Sequence, residues 1–88
     1  MTYEWDDDKA EANKKKHDVD FSVAVKAFDD PFQVEYDDNT TRHELRFNVI
    51  GMVGGRLLVV TFTMRGDVCR IISARGAEPH EKRKYHEV

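Results

Sequence analysis

Two short glycine-containing turns divide the second half of the chain into three apolar segments. Gly54-Gly55 and Gly66-Asp67 are typical two-residue turns of β-hairpins, because glycine readily adopts the positive φ angles that such turns require. Two turns of this length leave little freedom in strand pairing, so they also determine which side chains share a face. The pattern predicts a three-stranded antiparallel meander, with strands over residues 44–53, 56–64 and 68–77.

The register that these turns imply gives the sheet one apolar face and one basic face. The apolar face is expected to carry a row of large side chains that pack on helices: Phe47, Phe62 and Ile71. The other face is expected to carry two arginines on either side of a threonine: Arg46, Thr63 and Arg70. Neighbouring strands lie about 4.8 Å apart, so the two guanidinium groups bracket a space about 10 Å wide, which suits a phosphodiester.

Arginines also recur at five-residue intervals around the last predicted strand, at Arg65, Arg70 and Arg75. A guanidinium group is planar, stays charged and binds phosphate or carboxylate through a fork of donors. Glu44 is expected opposite Arg65 at the rim of the sheet. Arg75 belongs by strict alternation to the apolar face, but it ends its strand, where pairing with a helix acid is as consistent as contact with a ligand. The arginines predict that the sheet binds a polyanion or the carboxylates of a protein partner.

The first predicted helix, over residues 7–17, has no aliphatic stripe. Asp6 is a typical N-cap, and the helix begins with acids and ends with lysines, as its dipole favours. One narrow stripe of its surface is instead mostly polar: Trp5, Lys9, Asn13, Lys16 and His17. The pattern fits an exposed helix whose alanines pack lightly, and it equally fits a helix whose polar stripe lines a site or a partner surface.

The remaining segments complete an α+β fold in one domain, residues 1–88. Asp20 is expected to cap a core-facing helix over 21–28, and Pro79 to open a short charged C-terminal helix. Residues 3–5 are a short strand or a lead-in, and 32–36 a possible edge strand before a polar loop. We therefore expect two N-terminal helices packed on one face of an antiparallel three- to four-stranded sheet, with a short C-terminal helix.

The composition indicates a binding site on the surface of the protein, and it also indicates a reducing compartment. Residues 1–44 hold 13 acidic and 6 basic side chains, whereas residues 45–88 hold 4 acidic and 8 basic ones, which fits an anionic ligand at one surface and fits nearly as well an uneven surface charge with no target. Cys69 is the only cysteine, so an intrachain disulfide is impossible, and it is expected to be buried. The absence of a long apolar run or of a signal-peptide pattern predicts a cytoplasmic protein without a membrane partner. The histidines and acids show no metal-binding spacing, so neither a metal nor another cofactor is expected.

Taken together, several stretches resemble the BrnT family of type II toxins, small ribonucleases of the broader RelE/ParE-like superfamily. The stretches are EWDDDKAEANKKKHDVDF, FDDP, RFNVIG and LLVVTFTMRGDVCRIISARGAEPHEKRKY, in the order of the family and over nearly the whole chain. The family pattern maps onto Trp5, Asp6, Lys9, Asn13, Lys16, His17, Phe21, Arg46, Arg70, Ser73, Arg75 and Tyr85. One departure is Asp18, where the family commonly has glycine, and this is expected to stiffen or extend the helix end that presents His17.

The resemblance implies a RelE-like fold and RNA cleavage without a metal, in which the 2′-hydroxyl attacks the neighbouring phosphorus. Fixed cations stabilise the charge that develops, so Arg46, Arg65 and Arg70 are predicted to clamp the phosphate. His17 is the leading candidate for proton transfer, because histidine titrates near neutral pH, although the base and the acid are not assigned. Four further residues are predicted to contact substrate: Lys9, Lys16, Arg75 and Tyr85. Tyr85 equally fits a role in capping the core.

The resemblance further implies a cognate DNA-binding antitoxin, similar to BrnA, through which the toxin reaches operator DNA. Two functions therefore remain open from the sequence. The chain is either a ribonuclease that inhibits translation, or a non-catalytic module whose arginines bind an acidic antitoxin segment and which acts with its partner as an operon co-repressor. The acidic pI of about 5.7 favours the second, because proteins that grip RNA unaided are usually basic. The resemblance favours the first.

Overall fold

A five-stranded mixed sheet forms the centre of the computed structural model, which describes residues 1–38 and 44–87. The strands are β1 (Thr2–Glu4), β2 (Val34–Asp37), β3 (Phe47–Val53), β4 (Arg56–Arg65) and β5 (Val68–Gly76). Their order in the sheet is β1-β5-β4-β3-β2, and β1 runs parallel to β5 while all other pairs are antiparallel. The predicted α+β class and the meander are confirmed, but the sheet is neither fully antiparallel nor limited to four strands, because the N-terminal segment adds β1.

The helices lie on both faces of the sheet rather than on one. They are α1 (Asp7–His17), α2 (Phe21–Ala24) continued by a 3₁₀ helix (Val25–Asp29), and α3 (Pro79–His86). The main core joins α2 to one face of the sheet, whereas Tyr85 of α3 packs with Ile50 and Val59 on the other. Adjacent strand residues point to opposite faces, so two cores follow directly from the apolar runs of β3 and β4. No helix within the described ranges is long and apolar enough to cross a membrane.

The predicted register is confirmed over most of the meander. Phe47 pairs with Phe62, Phe62 pairs with Ile71, and Thr63 pairs with Arg70. A bulge then interrupts the pairing of β4 with β5, so that Thr61 faces Ser73 rather than Ile72. Beyond the bulge, each residue of β5 points to the face opposite to the one that strict alternation from Arg70 would give it. Arg75 therefore lies opposite Val59, on the same face as Arg70, and its predicted place on the apolar face is wrong.

Two predicted element boundaries differ for local reasons. β2 and β3 begin at Val34 and Phe47, later than predicted, and most of the polar loop between them, residues 39–43, lies outside the described part of the chain. The second helix tightens into a 3₁₀ helix from Val25 and packs closely on β3. A Cβ atom on Gly51 would stand 2.6 Å from the carbonyl oxygen of Ala27, so only glycine permits this approach.

The helix α1 begins after a capping residue, Asp6, and ends at His17, which is followed by a left-handed residue, Asp18. The Asp6 carboxylate accepts the backbone N–H groups of Asp8 and Lys9 at 2.9 and 3.1 Å, which caps the start of α1 as predicted. The helix stops at His17, and Asp18 takes φ 57° and ψ 40°, with its N–H bonded to the carbonyl of Lys14. Asp18 thus adopts the conformation for which glycine is preferred, and the expected extension of the helix does not occur.

We predict that Asp18→Gly stabilises the protein and that Asp18→Ala destabilises it. A side chain in the left-handed region carries a steric cost that glycine avoids, and alanine lacks the local polar contacts by which aspartate tolerates it. The expected changes in the free energy of unfolding are about +0.5 kcal/mol for glycine and about −1 kcal/mol for alanine. Urea unfolding of the three proteins measures both, and an alanine variant as stable as the parent would contradict the assignment.

Candidate functional site

Three arginines share the face of the sheet opposite α2. Cys69 and Ile71 on either side of Arg70 belong to the main core, so Arg70 points away from it. Phe47 packs into the same core, and Arg46 precedes it in the chain. Both Arg46 and Arg65 reach Glu44, which places their guanidinium groups together. We call Arg46, Arg65 and Arg70 the arginine cluster; they share a face as the register predicts, and their catalytic role stays a prediction.

Two carboxylates neutralise part of the arginine cluster. Arg70 Nη1 donates to Glu4 Oε2 at 2.6 Å, and Arg46 Nη2 donates to Glu44 Oε1 at 3.2 Å. Arg65 Nη2 stands 3.9 Å from Glu44 Oε2, at the rim position that the register predicts. Three cations and two anions leave one net positive charge. The side chains of Glu4 and Glu44 remain 39% and 36% exposed, so both ion pairs are open to solvent and to a competing phosphate.

Hydroxyl groups hold the sheet rigid beside the arginine cluster. The Thr63 hydroxyl donates to the carbonyl of Leu45 at 2.6 Å, and the Thr61 hydroxyl donates to Asn48 Oδ1 at 2.6 Å. Both bonds join β4 to β3 or to the segment just before it, between the strands that carry the arginines. The ion pairs with Glu4 and Glu44 position the guanidinium groups of Arg70 and Arg46 before a ligand arrives, which is the arrangement that electrostatic stabilisation of a transition state requires.

His17 lies at the other end of the same region. Its helix follows β5, because Asn13 Nδ2 donates to the carbonyl of Ala74 and Asn13 Oδ1 accepts the Ala74 N–H, at 2.9 and 3.1 Å. His17 lies one helical turn after Asn13, near Arg75. The β4 partners of Arg70 and Arg75 are four residues apart, or roughly 13 Å at about 3.3 Å per residue. The structure therefore does not bring His17 to the arginine cluster.

Burial lowers the pKa of His17 below its usual 6.5, and the positive charges of Lys16 and Arg75 lower it further. At pH 7 the imidazole is therefore neutral and able to accept a proton. Lys16 is exposed beside it, and Lys9 is exposed one turn before Asn13. The polar stripe was predicted to be exposed or to line a site, and neither interpretation accounts for its central residue. Asn13 is instead buried against the edge of β5.

Arg75 holds α3 on the sheet. Its Nη1 and Nη2 donate to Oε1 and Oε2 of Glu81 at 2.7 and 2.8 Å, and the Glu81 side chain is only 4% exposed. Tyr36 donates its hydroxyl to Glu81 Oε2 at 3.2 Å, and the Tyr85 hydroxyl donates to Asp30 Oδ2 at 2.6 Å. Arg75 thus pairs with a helix acid, and Tyr85 packs its ring on the second core. Their predicted contacts with substrate stay predictions.

The remaining candidate chemistry in the described chain is weak. Cys69 is fully buried, as predicted, and burial together with the charge of Glu35 raises the pKa of its thiol to about 11, so the thiolate required of a nucleophile is scarce at neutral pH. Within residues 1–38 and 44–87, no three His, Cys, Asp or Glu side chains are grouped so that they could hold a metal ion.

Comparison with known protein families shows the family to which the chain belongs. A family model described as "Ribonuclease toxin, BrnT, of type II toxin-antitoxin system" matches residues 5–81 of the 88-residue chain. The chain belongs to the BrnT family. No curated protein matches it in sequence. The matched range of this BrnT protein includes the whole arginine cluster, α1 and the start of α3, and membership of a type II system implies an antitoxin partner.

Sequence reasoning missed one member of the site in this BrnT protein, Glu4. A three-residue segment carries too little periodicity to be assigned as a strand, and its parallel pairing with β5 depends on contacts distant in the chain. Once β1 is in place, the register sets Glu4 beside Arg70. The signal available in the sequence was the alternation of Tyr3 and Trp5, both packed against the main core, around an acidic residue.

Proposed function

We propose that this BrnT protein is a metal-independent endoribonuclease toxin that inhibits translation by cutting RNA. The proposal depends on the arginine cluster, whose three guanidinium groups lie on one face of the sheet. Arg46 directly precedes β3, Arg65 ends β4, and Arg70 lies within β5. A phosphodiester entering this face exchanges the carboxylates of Glu4 and Glu44 for its own oxygens. RNA supplies its own nucleophile, the 2′-hydroxyl, so a protein that fixes cations around the phosphorus supplies the largest part of catalysis.

The reaction divides into three tasks. The cluster of Arg46, Arg65 and Arg70 binds the phosphoryl oxygens and stabilises the additional negative charge that they carry after attack. A base removes the 2′-hydroxyl proton, and the departing 5′-oxygen gains a proton. His17 lies near Arg75, away from the cluster, so we propose that it contacts RNA running along β5 from Arg70 rather than transferring a proton at the scissile phosphate. Lys9 and Lys16, exposed on α1, are proposed to contact the RNA backbone.

We predict that the purified protein, freed of its antitoxin, cuts single-stranded RNA in the presence of a metal chelator. The products are expected to carry a 2′,3′-cyclic phosphate and a 5′-hydroxyl, because the attacking oxygen comes from the substrate itself. The matched control is an oligonucleotide with one 2′-deoxy position at the scissile step, which should remain intact at that step while it binds as before. Cleavage of this control, or an absolute need for a divalent metal, would contradict the proposed chemistry.

A second function is favoured by the ion pairs of the arginine cluster. Each arginine already binds a carboxylate of its own chain, so the face is equally suited to exchange Glu4 and Glu44 for acidic side chains of an antitoxin. In this alternative the protein acts with its antitoxin, similar to BrnA, as an operon co-repressor and reaches operator DNA only through it. Arginine-cluster variants then lose antitoxin binding, whereas a ribonuclease loses cleavage.

A further inference from the structure

We propose that Glu4 is the general base of the reaction, the group that removes the proton from the attacking 2′-hydroxyl. This inference rests on the proposed ribonuclease function. The sequence offered His17 for proton transfer, but His17 lies near Arg75, whose position on β5 is roughly 13 Å from that of Arg70, at about 3.3 Å per residue. A base must come within hydrogen-bond distance of the proton that it removes, so it has to lie beside the arginines that bind the scissile phosphate.

Glu4 is fixed in place on the face that carries the arginine cluster. β1 pairs Tyr3 with Cys69 and Glu4 with Arg70, and the two neighbours of Glu4 in the chain pack against the main core. Glu4 therefore points to the opposite face, where its Oε2 accepts Arg70 Nη1 at 2.6 Å. Within the described chain, the hydrogen bonds of this carboxylate involve Oε2 alone, so Oε1 is available to accept a proton.

Glu44 is the other carboxylate of the cluster and is less suited to the task. It precedes β3 rather than lying within a strand, and it is shared between Arg46 and Arg65. Glu44 Oε1 accepts Arg46 and its Oε2 stands 3.9 Å from Arg65 Nη2, so both of its oxygens face a cation. Within the described chain, Oε1 of Glu4 does not. The matched control for Glu4 is Glu11, an exposed carboxylate on α1 outside the arginine cluster.

The charged groups around Glu4 favour this role. Arg70 is the cation in contact with it, and the carboxylate of Asp6, two residues along the chain, is occupied in capping α1. When Glu4 takes the proton, its negative charge disappears, and Arg70 turns its full attraction to the phosphoryl oxygens, where negative charge is then developing.

The proposed step is balanced within RNA and protein. Glu4 accepts the proton of the 2′-hydroxyl, the 2′-oxygen forms a bond to phosphorus, and the bond between phosphorus and the 5′-oxygen breaks. The 5′-oxygen leaves with a proton from solvent or from a protein acid, and Glu4 returns its proton to solvent. The products are a 2′,3′-cyclic phosphate and a 5′-hydroxyl, with no oxidant, reductant or co-reactant consumed.

The test compares Glu4→Gln with Glu11→Gln in the cleavage of a defined RNA oligonucleotide. Glutamine keeps the shape of glutamate and can still accept a hydrogen bond from Arg70, but it does not take up a proton. We expect Glu4→Gln to lower kcat by about 10²- to 10⁴-fold, the usual contribution of a general base, with KM unchanged or lower. Glu11→Gln is expected to keep kcat within a few-fold of the parent. Thermal unfolding of each variant verifies that it is folded.

The pH profile separates a base from a residue that only positions Arg70. For the parent and for Glu11→Gln, cleavage should decline at acidic pH, where carboxylates begin to take up protons. The Glu4→Gln variant should lack this decline and depend instead on hydroxide. A Glu4→Gln variant with parental kcat, or one that is slow but keeps the parental profile, would overturn the inference while leaving the ribonuclease function intact. If the parent cuts no RNA, the function and the inference fail together.

Discussion

Replacing Arg70 with alanine is expected to reduce RNA cleavage by about 10²- to 10³-fold, the cost typical of removing one preorganised donor from a transition-state site. Arg70 is the one arginine of the cluster within β5, flanked by strands on both sides and paired with Thr63 and Glu4. No neighbouring side chain can take its position. Initial rates on a defined RNA oligonucleotide, measured with protein freed of antitoxin, give the magnitude.

Two further variants make this result interpretable. Arg70→Lys keeps the charge but not the planar fork, so its activity should fall between those of the parent and the alanine variant. Arg56→Ala removes an exposed arginine beside the Gly54-Gly55 turn, at the far end of β4, and should cleave as the parent does. Equal losses for Arg56→Ala and Arg70→Ala would show that general positive charge, rather than the cluster, supports cleavage. Loss of antitoxin binding alone in Arg70→Ala would favour the co-repressor function.

Replacing Glu81 with glutamine is expected to destabilise the fold by about 3 kcal/mol at pH 7. Burial alone would raise the pKa of Glu81, but the bonds from Arg75, from the Glu78 N–H and from Tyr36 lower it from 4.5 to about 2. A lowered pKa means that the folded state favours the ionised form. This stabilisation is complete above pH 4.5 and is lost as the pH falls towards 2, because the unfolded chain then binds more protons than the folded one.

Thermal unfolding between pH 2 and pH 7 measures this contribution. For a domain of this size, a loss of 3 kcal/mol corresponds to a fall in melting temperature of roughly 12–24 °C. The variant should also show a weaker dependence of stability on pH between 4.5 and 2 than the parent. Glu11→Gln is the matched control, because Glu11 and Lys15 form an exposed ion pair worth at most about 0.5 kcal/mol. Equal effects of the two substitutions would contradict a structural role for the Arg75–Glu81 pair.

The meander was predictable because its turns are local. Gly54, Gly55 and Gly66 adopt the positive φ angles that two-residue turns require, and their positions determine the pairing of β3, β4 and β5. The bulge at Thr61 and Phe62 was not predictable in this way. It accommodates packing on both faces of β5, and no turn or glycine marks it in the sequence. The position of Arg75 depends on this single irregularity.

The candidate site was predictable where it follows from the register and unpredictable where it depends on distant segments. Arg46 and Arg70 share a face because β3, β4 and β5 are joined by short turns. His17 was grouped with them because it belongs to the same family pattern, and a pattern in sequence carries no distance. Only the course of α1 along β5, set by the bonds of Asn13 to Ala74, separates His17 from Arg70.

The hydrogen bonds of Asn13 also limit where another copy of this chain could add a strand to the sheet. β1 covers β5 only as far as Arg70, and the Asn13 side chain then takes both backbone groups that Ala74 would offer to an incoming strand. Unprotected strand edges are common starting points for domain swapping and for fibril growth. One buried amide on α1 thus closes this route at Ala74 of β5, which leaves the two border strands, β1 and β2, as the places where another molecule could add a strand.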